Sequence, residues 1–270
     1  MEAKYAIVDA AFDFRVFKSR LVKIKNKKME PNPLIRPFNK ESMTIKSLNN
    51  TWLSLLDQTI LLTILCLAGR QHTAKLKKNE VISIRTTLRS LINEAGLNCK
   101  TNDIKDSLRR LHNIIYSGSN DPEPASELLT CTPVAIELRE RADEQEIKIH
   151  PRFSRAIDER INKPKNKSNI KYSFIIIDLN ERQELMRGDY HEKAMLLHAW
   201  FSSTVHAGQT SPKYKISTLF ETISVMNKEI ENTSIKRQRN RLKEPLEELL
   251  DIYWGVQYIK ENVITVTRPI

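Results

Sequence analysis

Glycine is scarce, with 6 in 270 residues. None of them builds G-x-x-x-x-G-K-[ST] or G-x-G-x-x-G, which removes a P-loop ATPase and a dinucleotide site. Cysteine is scarcer still: Cys66, Cys99 and Cys131 lie more than 30 residues apart without a C-x-x-C pair. Neither a disulfide framework nor a zinc ribbon is expected. The longest apolar run, 52–68, is interrupted by Asp57 and Gln58. A spanning helix needs about 20 mostly apolar residues, and a central carboxylate costs a few kcal/mol in lipid. This run reads as a buried core helix, and no membrane partner is expected. Asp9, Asp13 and Arg15 interrupt any apolar leader, so a cytoplasmic protein is expected. The histidines at 72, 112, 150, 191, 198 and 206 make no H-E-x-x-H, and 191, 198 and 206 are spaced by 7 and 8. No catalytic residue, metal or cofactor is expected, and the protein reads as a non-enzyme.

What the chain does have is positive charge. Forty-four Lys and Arg against 33 Asp and Glu leave +11 at pH 7, with a pI near 9.5. Such a field attracts polyanions, nucleic acid first among them. A hydrophobic content of 40%, with 7% aromatic residues, is that of a folded chain rather than a disordered or fibrous one.

Punctuation divides the chain. Residues 1–43 read as a basic N-terminal arm of strands and loop, broken at Pro31, Pro33 and Pro37. A first domain over 44–161 shows a helix ending at Gly69, a second ending before Gly96, and a third opened by the N-cap candidate Thr101. Two strand-like stretches follow, at 128–138 and 146–150. Residues 162–171 hold 4 lysines and no acid, and read as a basic linker. The second domain, 172–270, begins with a buried strand at 173–177. A helix follows from Asp189, capped with Glu192, to about His206 before Gly208, then helical text at 216–224. A third helix from Ser234 precedes two strands. Helices followed by a hairpin is the winged-helix order, and it occurs twice. The expected fold class is α+β, two tandem winged-helix domains.

The third helix of each set carries the candidate chemistry. In 234–251, Ile235, Leu242, Leu246, Leu249 and Leu250 form an apolar stripe, and residues 233–243 hold 5 basic side chains and no acid. Arg237, Asn240 and Arg241 point away from that stripe, with Lys236 on its flank, and Arg239 and Lys243 complete the basic run. Arginine suits guanine and asparagine suits adenine in a major groove, so the first turns of a recognition helix need such residues. In 101–115 the stripe is Ile104, Leu108, Leu111 and Ile115. The opposite side presents Asn102, Lys105, Arg109 and Asn113, with Arg110 added to the candidate contacts, and Asp103 and Asp106 dilute the charge. Lys163, Lys165 and Lys167 of the linker are candidate phosphate contacts. Pro245 predicts a kink, since it removes the donor to the Arg241 carbonyl. The stretch 119–147, with 8 acids and 2 basic residues, does not suit a phosphate surface.

Residues 175–270 resemble replication protein C, the family of origin-binding initiators of IncQ-type plasmids. The likeness runs through the strand and Asp-x-x-Glu/Arg segment at 177–185, LLH at 196–198, R-x-R-[LV]-[KR]-E at 239–244, Trp254, and [IV]-T-R-P at 266–269. Residues 52–160 match in element order and apolar pattern, down to His150-Pro151. Tyr253 departs from the pattern, since a small residue suits the turn better. The resemblance implies two winged-helix domains binding directly repeated iterons in double-stranded origin DNA, and recruitment of the plasmid's replicative helicase, without nuclease or ATPase chemistry. A homodimer is a further partner left open. The competing readings are a plasmid-encoded repressor on a palindromic operator, and a recombinase or relaxase, which requires a catalytic Tyr or Ser with Arg and His partners.

Overall fold

Residues 5–17 mix small and aromatic apolar side chains, and such a segment gains stability by burying them and pairing its backbone. In the computed structural model, which describes residues 4–18, 34–38, 41–48, 53–118, 125–133, 143–162, 173–189, 191–224 and 233–270, it does so against both halves of the chain. Strand β1 (Tyr5–Asp9) pairs antiparallel with Phe174–Asp178, placing Ile7 opposite Ile176. Phe12, Phe14 and Phe17 are buried behind it, and the Phe12 ring lies 5.3 to 6.1 Å from Phe14, Phe17, Tyr116 and Phe153. The expectation of a basic arm is therefore corrected for 5–17, where apolar burial decides and the segment is core. Residues 19–33 lie outside the described residues.

The chain continues through β2 (Phe17–Lys18), β3 (Leu34–Phe38), β4 (Glu41–Ser47) and β5 (Leu53–Ser54) into helix α1 (Leu55–Gln71). Ser54 and Asp57 form a capping box, in which the Asp57 carboxylate accepts from the Ser54 backbone N–H at 2.6 Å. The apolar run is buried as its composition requires, and among the described residues no helix is long and apolar enough to cross a membrane. The helix passes Gly69 and ends at His72. Gly69 therefore does not cap the helix; it lies within the last turn, against Ile7 of β1.

Next come β6 (Ser83–Thr87), α2 (Leu88–Ala95) and α3 (Thr101–His112). Gly96 ends α2 in the left-handed region at φ +66°, as its position predicts. The N-cap of α3 is Lys100, one residue before Thr101, because Asp103 accepts from the Lys100 backbone N–H at 2.9 Å. Strand β7 (Ile114–Gly118) starts two residues after α3, so Ile115 belongs to a strand and not to the helical stripe. With β8 (Ser126–Glu127) it completes a sheet of order β3-β4-β7-β8. Strands β9 (Leu129–Pro133) and β10 (Glu144–Ile149) join β6 in the order β6-β10-β9, and α4 (Pro151–Asn162) follows. The remaining linker residues, Lys163, Lys165 and Lys167 included, lie outside the described residues.

The second half contains β11 (Phe174–Asp178), α5 (Leu179–Leu185), α6 (His191–Ser202), β12 (Tyr214–Lys215) and α7 (Ile216–Ile223). Helix α8 (Ile235–Asp251) and strands β13 (Gly255–Lys260) and β14 (Val263–Thr267) complete it. Helix α6 is shorter than the expected Asp189 to His206. It opens at His191, whose Nδ1 meets the Gly188 carbonyl at 2.8 Å, and beyond Ser202 the chain turns to Gly208, at φ +73°. The fold class is mixed α+β. Each half runs helix, short strand, helix, helix and an antiparallel strand pair, with β7 and β8 inserted before that pair in the first half, and the short strand pairs with the last strand in both: β6-β10-β9 and β12-β14-β13. Buried residues from Ala6 to Val266 form one hydrophobic cluster spanning the two halves.

Candidate nucleic-acid interface

Helix α8 is amphipathic with its stripe rotated from the expected one. The buried positions are Gln238, Leu242, Pro245, Leu246 and Leu249, whereas Ile235 and Leu250 are exposed. Ile235 is the first residue of the helix and has no preceding turn to pack on, and Leu250 lies on the flank, about 100° from the centre of the buried face. Gln238 occupies the core face because its side-chain N–H donates to the Thr233 carbonyl at 2.9 Å, which ties down the start of the helix. Opposite this face Lys236, Arg237, Asn240, Arg241 and Lys243 are exposed, with Arg239 half-buried. The Arg241 guanidinium lies 6.0 Å from the Phe220 ring of α7, and Lys243 is 3.7 Å from Glu247. The Arg239 guanidinium stands 4.8 Å from the Tyr258 ring on β13.

Helix α3 divides its candidates. Asn102, Lys105 and Arg109 are exposed, and Arg109 pairs loosely with Asp106 one turn back, at 3.2 Å. Arg110 does not belong with them. Its guanidinium turns inward and grips the fully buried Asp57 carboxylate of α1, Nε at 3.0 Å from both oxygens and Nη2 at 2.8 Å from Oδ1. A carboxylate in an apolar run needs such a partner, so the charge of Arg110 is spent inside the fold. Asn113 is the C-cap of α3, half-buried, its carbonyl accepting from the Leu48 backbone N–H at 2.9 Å. The Arg110 assignment is corrected from an outward contact to a structural position, and Asn113 lies at the end of the helix with its backbone tied to Leu48, just after β4.

The residues that carry the family resemblance converge on a buried cluster away from this surface. Glu181 accepts from Trp254 Nε1 at 3.0 Å and meets His198 Nε2 at 2.6 Å. Arg268 stacks 5.7 Å from the Trp254 ring and donates to the Ile176 carbonyl at 2.7 Å. Burial lowers the pKa of His198, an effect opposed by Glu181 and reinforced by Arg182 and Arg268. Arg182, also buried, donates to the Met195 carbonyl and to Gln58 Oε1 at 2.6 Å, linking the second half to α1. These motifs hold the scaffold, and R-x-R-[LV]-[KR]-E alone among them lies on the exposed helix. Sequence reasoning did not single out Tyr258, whose signal is an aromatic in a hairpin strand next to a basic helix.

No protein-family model matches the chain, and no curated protein matches it. Among solved structures, a crystal structure of domains 2 and 3 of RctB shares the fold, with a TM-score of 0.52 at 12% sequence identity over 93% of this chain and 94% of that one.

Proposed function

We propose that this protein is an origin-binding replication initiator. Its two halves act as winged-helix modules that lay α3 and α8 in major grooves of directly repeated DNA. The observation that carries this reading is the repeated topology, in which the last helix before the closing strand pair has an outward polar face each time, basic and free of acids over the first turns of α8. Supporting it are the net charge of +11 and a fold shared along nearly the whole chain with domains of RctB, a replication initiator. The protein works by binding and by recruiting a replicative helicase, without catalysing a reaction of its own. Direct repeats suit two unlike modules in tandem better than a palindrome does, which ranks this reading above a repressor.

The test is binding to the DNA beside the gene by fluorescence anisotropy at several salt concentrations. If each half neutralises about three phosphates, log K against log[salt] slopes by roughly -5. A slope shallower than about -2 excludes groove docking by both halves. Inserting about five base pairs in the middle of one repeat rotates the half-sites by half a turn, and affinity is expected to fall to that of the stronger half.

A further inference from the structure

We propose that Arg239 and Tyr258 form a preassembled clamp for a DNA backbone phosphate at the seam between helix α8 and its hairpin, and that Tyr258 is the positioning residue of this clamp. The inference rests on the DNA-binding reading above and assigns to one of its arginines a role other than base readout.

Three observations carry it. The first is direction. With Gln238, Leu242, Pro245 and Leu249 buried, the exposed face of α8 centres on Asn240, and Arg239 lies about 100° from it, towards the hairpin. Lys236, Arg237 and Asn240 are exposed while Arg239 is half-buried, so Arg239 is not aimed where a base edge lies. The second is the stack: the guanidinium is 4.8 Å from the Tyr258 ring, and among the described residues no carboxylate lies within ion-pairing distance of it. A guanidinium lying on a ring keeps its N–H edge available, and that planar fork matches a phosphate. The third is a break in strand register. Tyr258 pairs with Ile264 and Lys260 with Val263, leaving Ile259 as an extra residue. Tyr258 therefore shares the face of the buried Ile264, towards α8, while the bulge increases local twist. It is still 38% exposed, which leaves the seam open to a ligand.

The surrounding charges set where the phosphate sits. Glu244 and Glu247 also act on Tyr258, and Glu247 pairs with Lys243. Both acids lie further along the helix, about 7.5 and 12 Å from Arg239 along the axis at 1.5 Å per residue. The N-terminal end of the seam is thus cationic and its C-terminal end acidic. A phosphate is accepted beside Arg239 and repelled beyond it.

The test compares the full chain with Arg239→Ala, Tyr258→Ala, Tyr258→Phe, Tyr258→Leu and the double Arg239→Ala/Tyr258→Ala, on an origin-repeat duplex and a scrambled duplex of equal length. Arg239→Ala is expected to weaken both duplexes by the same factor, about fivefold, and to make the log-log salt slope shallower by about 0.9. Tyr258→Ala and Tyr258→Leu follow it by a factor of about 2 to 5, Tyr258→Phe binds as the parent, and the double variant is no worse than Arg239→Ala. The leucine variant keeps the packing without the π face, so a Tyr258→Ala that fails to fold leaves the test intact. Arg239 side-chain NMR resonances in the free protein are expected to lose their ring-current shift in Tyr258→Leu. Multiplicative losses in the double variant, parent-like binding by Tyr258→Leu, or a loss confined to the origin duplex overturns the clamp while the DNA-binding reading stands. Failure of the parent protein to bind either duplex at low salt overturns both.

Discussion

Arg109 and Arg110 are chemically identical neighbours, and the roughly 100° of helical rotation between them gives them different work. Arg109 is exposed on the outer face of α3, whereas Arg110 neutralises a carboxylate that water does not reach. Arg110→Ala leaves Asp57 buried and unpaired, and is expected to cost about 3 kcal/mol in denaturant unfolding. Arg109→Ala and Arg237→Ala are expected to keep stability within about 0.5 kcal/mol. Each should weaken origin binding by about 1 to 3 kcal/mol and relax preference at one base position, read by competition against single-base variants of the site. Equal weakening on every sequence reassigns them to phosphate. His198 supplies a second residue-scale prediction. Its Nδ1 is buried and has no hydrogen-bond partner among the described residues, and its pKa is held below 6.5 chiefly by burial. The unfolded histidine takes up a proton that the folded one refuses, so stability present above pH 6.5 is lost as pH falls below it. Glu181, held below 4.5 by His198 and Trp254 against the opposing effect of burial, adds a further loss at lower pH. Urea midpoints measured between pH 7.5 and 5 are expected to fall. The fall should shrink in His198→Gln, which keeps a donor for Glu181 and does not titrate.

At the scale of elements, the turn after α8 carries a visible strain. Tyr253 sits at φ +66° and is 88% exposed, and a side chain in the left-handed region is disfavoured. This backbone favours glycine, as the expectation of a small residue in the turn has it. Tyr253→Gly is expected to raise stability by about 1 kcal/mol in thermal or urea unfolding; no gain would mean that the exposed ring offsets the strain through its contacts. Helix α8 makes a related point. Its core face uses Gln238 and Pro245 although isoleucine and leucine are available at 235 and 250, so an apolar residue count alone misplaces the stripe by part of a turn. Pro245 lies on the buried face, and the helix runs through it from Ile235 to Asp251.

At the scale of the molecule, β1 is one of the elements that join the two repeats. It pairs with β11 of the second half, while Asp9 at its end accepts from Arg152 Nε at 2.6 Å and Tyr116 Oη at 3.0 Å in the first. The fragment 172–270 expressed alone lacks this strand and uncovers Ile175 and Ile177. It is expected to be protease-sensitive, with protection restored by a peptide of residues 1–18. A fragment that resists protease without the peptide shows the second half to be self-sufficient. In the full chain, Val8→Asp is expected to lower stability by more than about 3 kcal/mol in a single transition. Two separate transitions overturn the coupling of the halves.

The sequence by itself determined the local elements. The Gly96 stop, the strand at 174–178, the hairpin at 255–267 and the twofold recurrence of element order follow from periodicity and turn chemistry, which act over a few residues. It also placed the basic face of α8, because five cations in eleven positions cannot all be buried. What it left undecided are pairings between residues far apart in the chain. Asp57 with Arg110, Asp9 with Arg152, Gln58 with Arg182 and β1 with β11 are separated by 53, 143, 124 and about 169 residues, a distance over which no local pattern reports. Those contacts distinguish an exposed arginine from a structural one, and an arm from a core strand. The tertiary structure decided them because a buried charge or an unpaired strand edge takes whichever partner packing brings within reach.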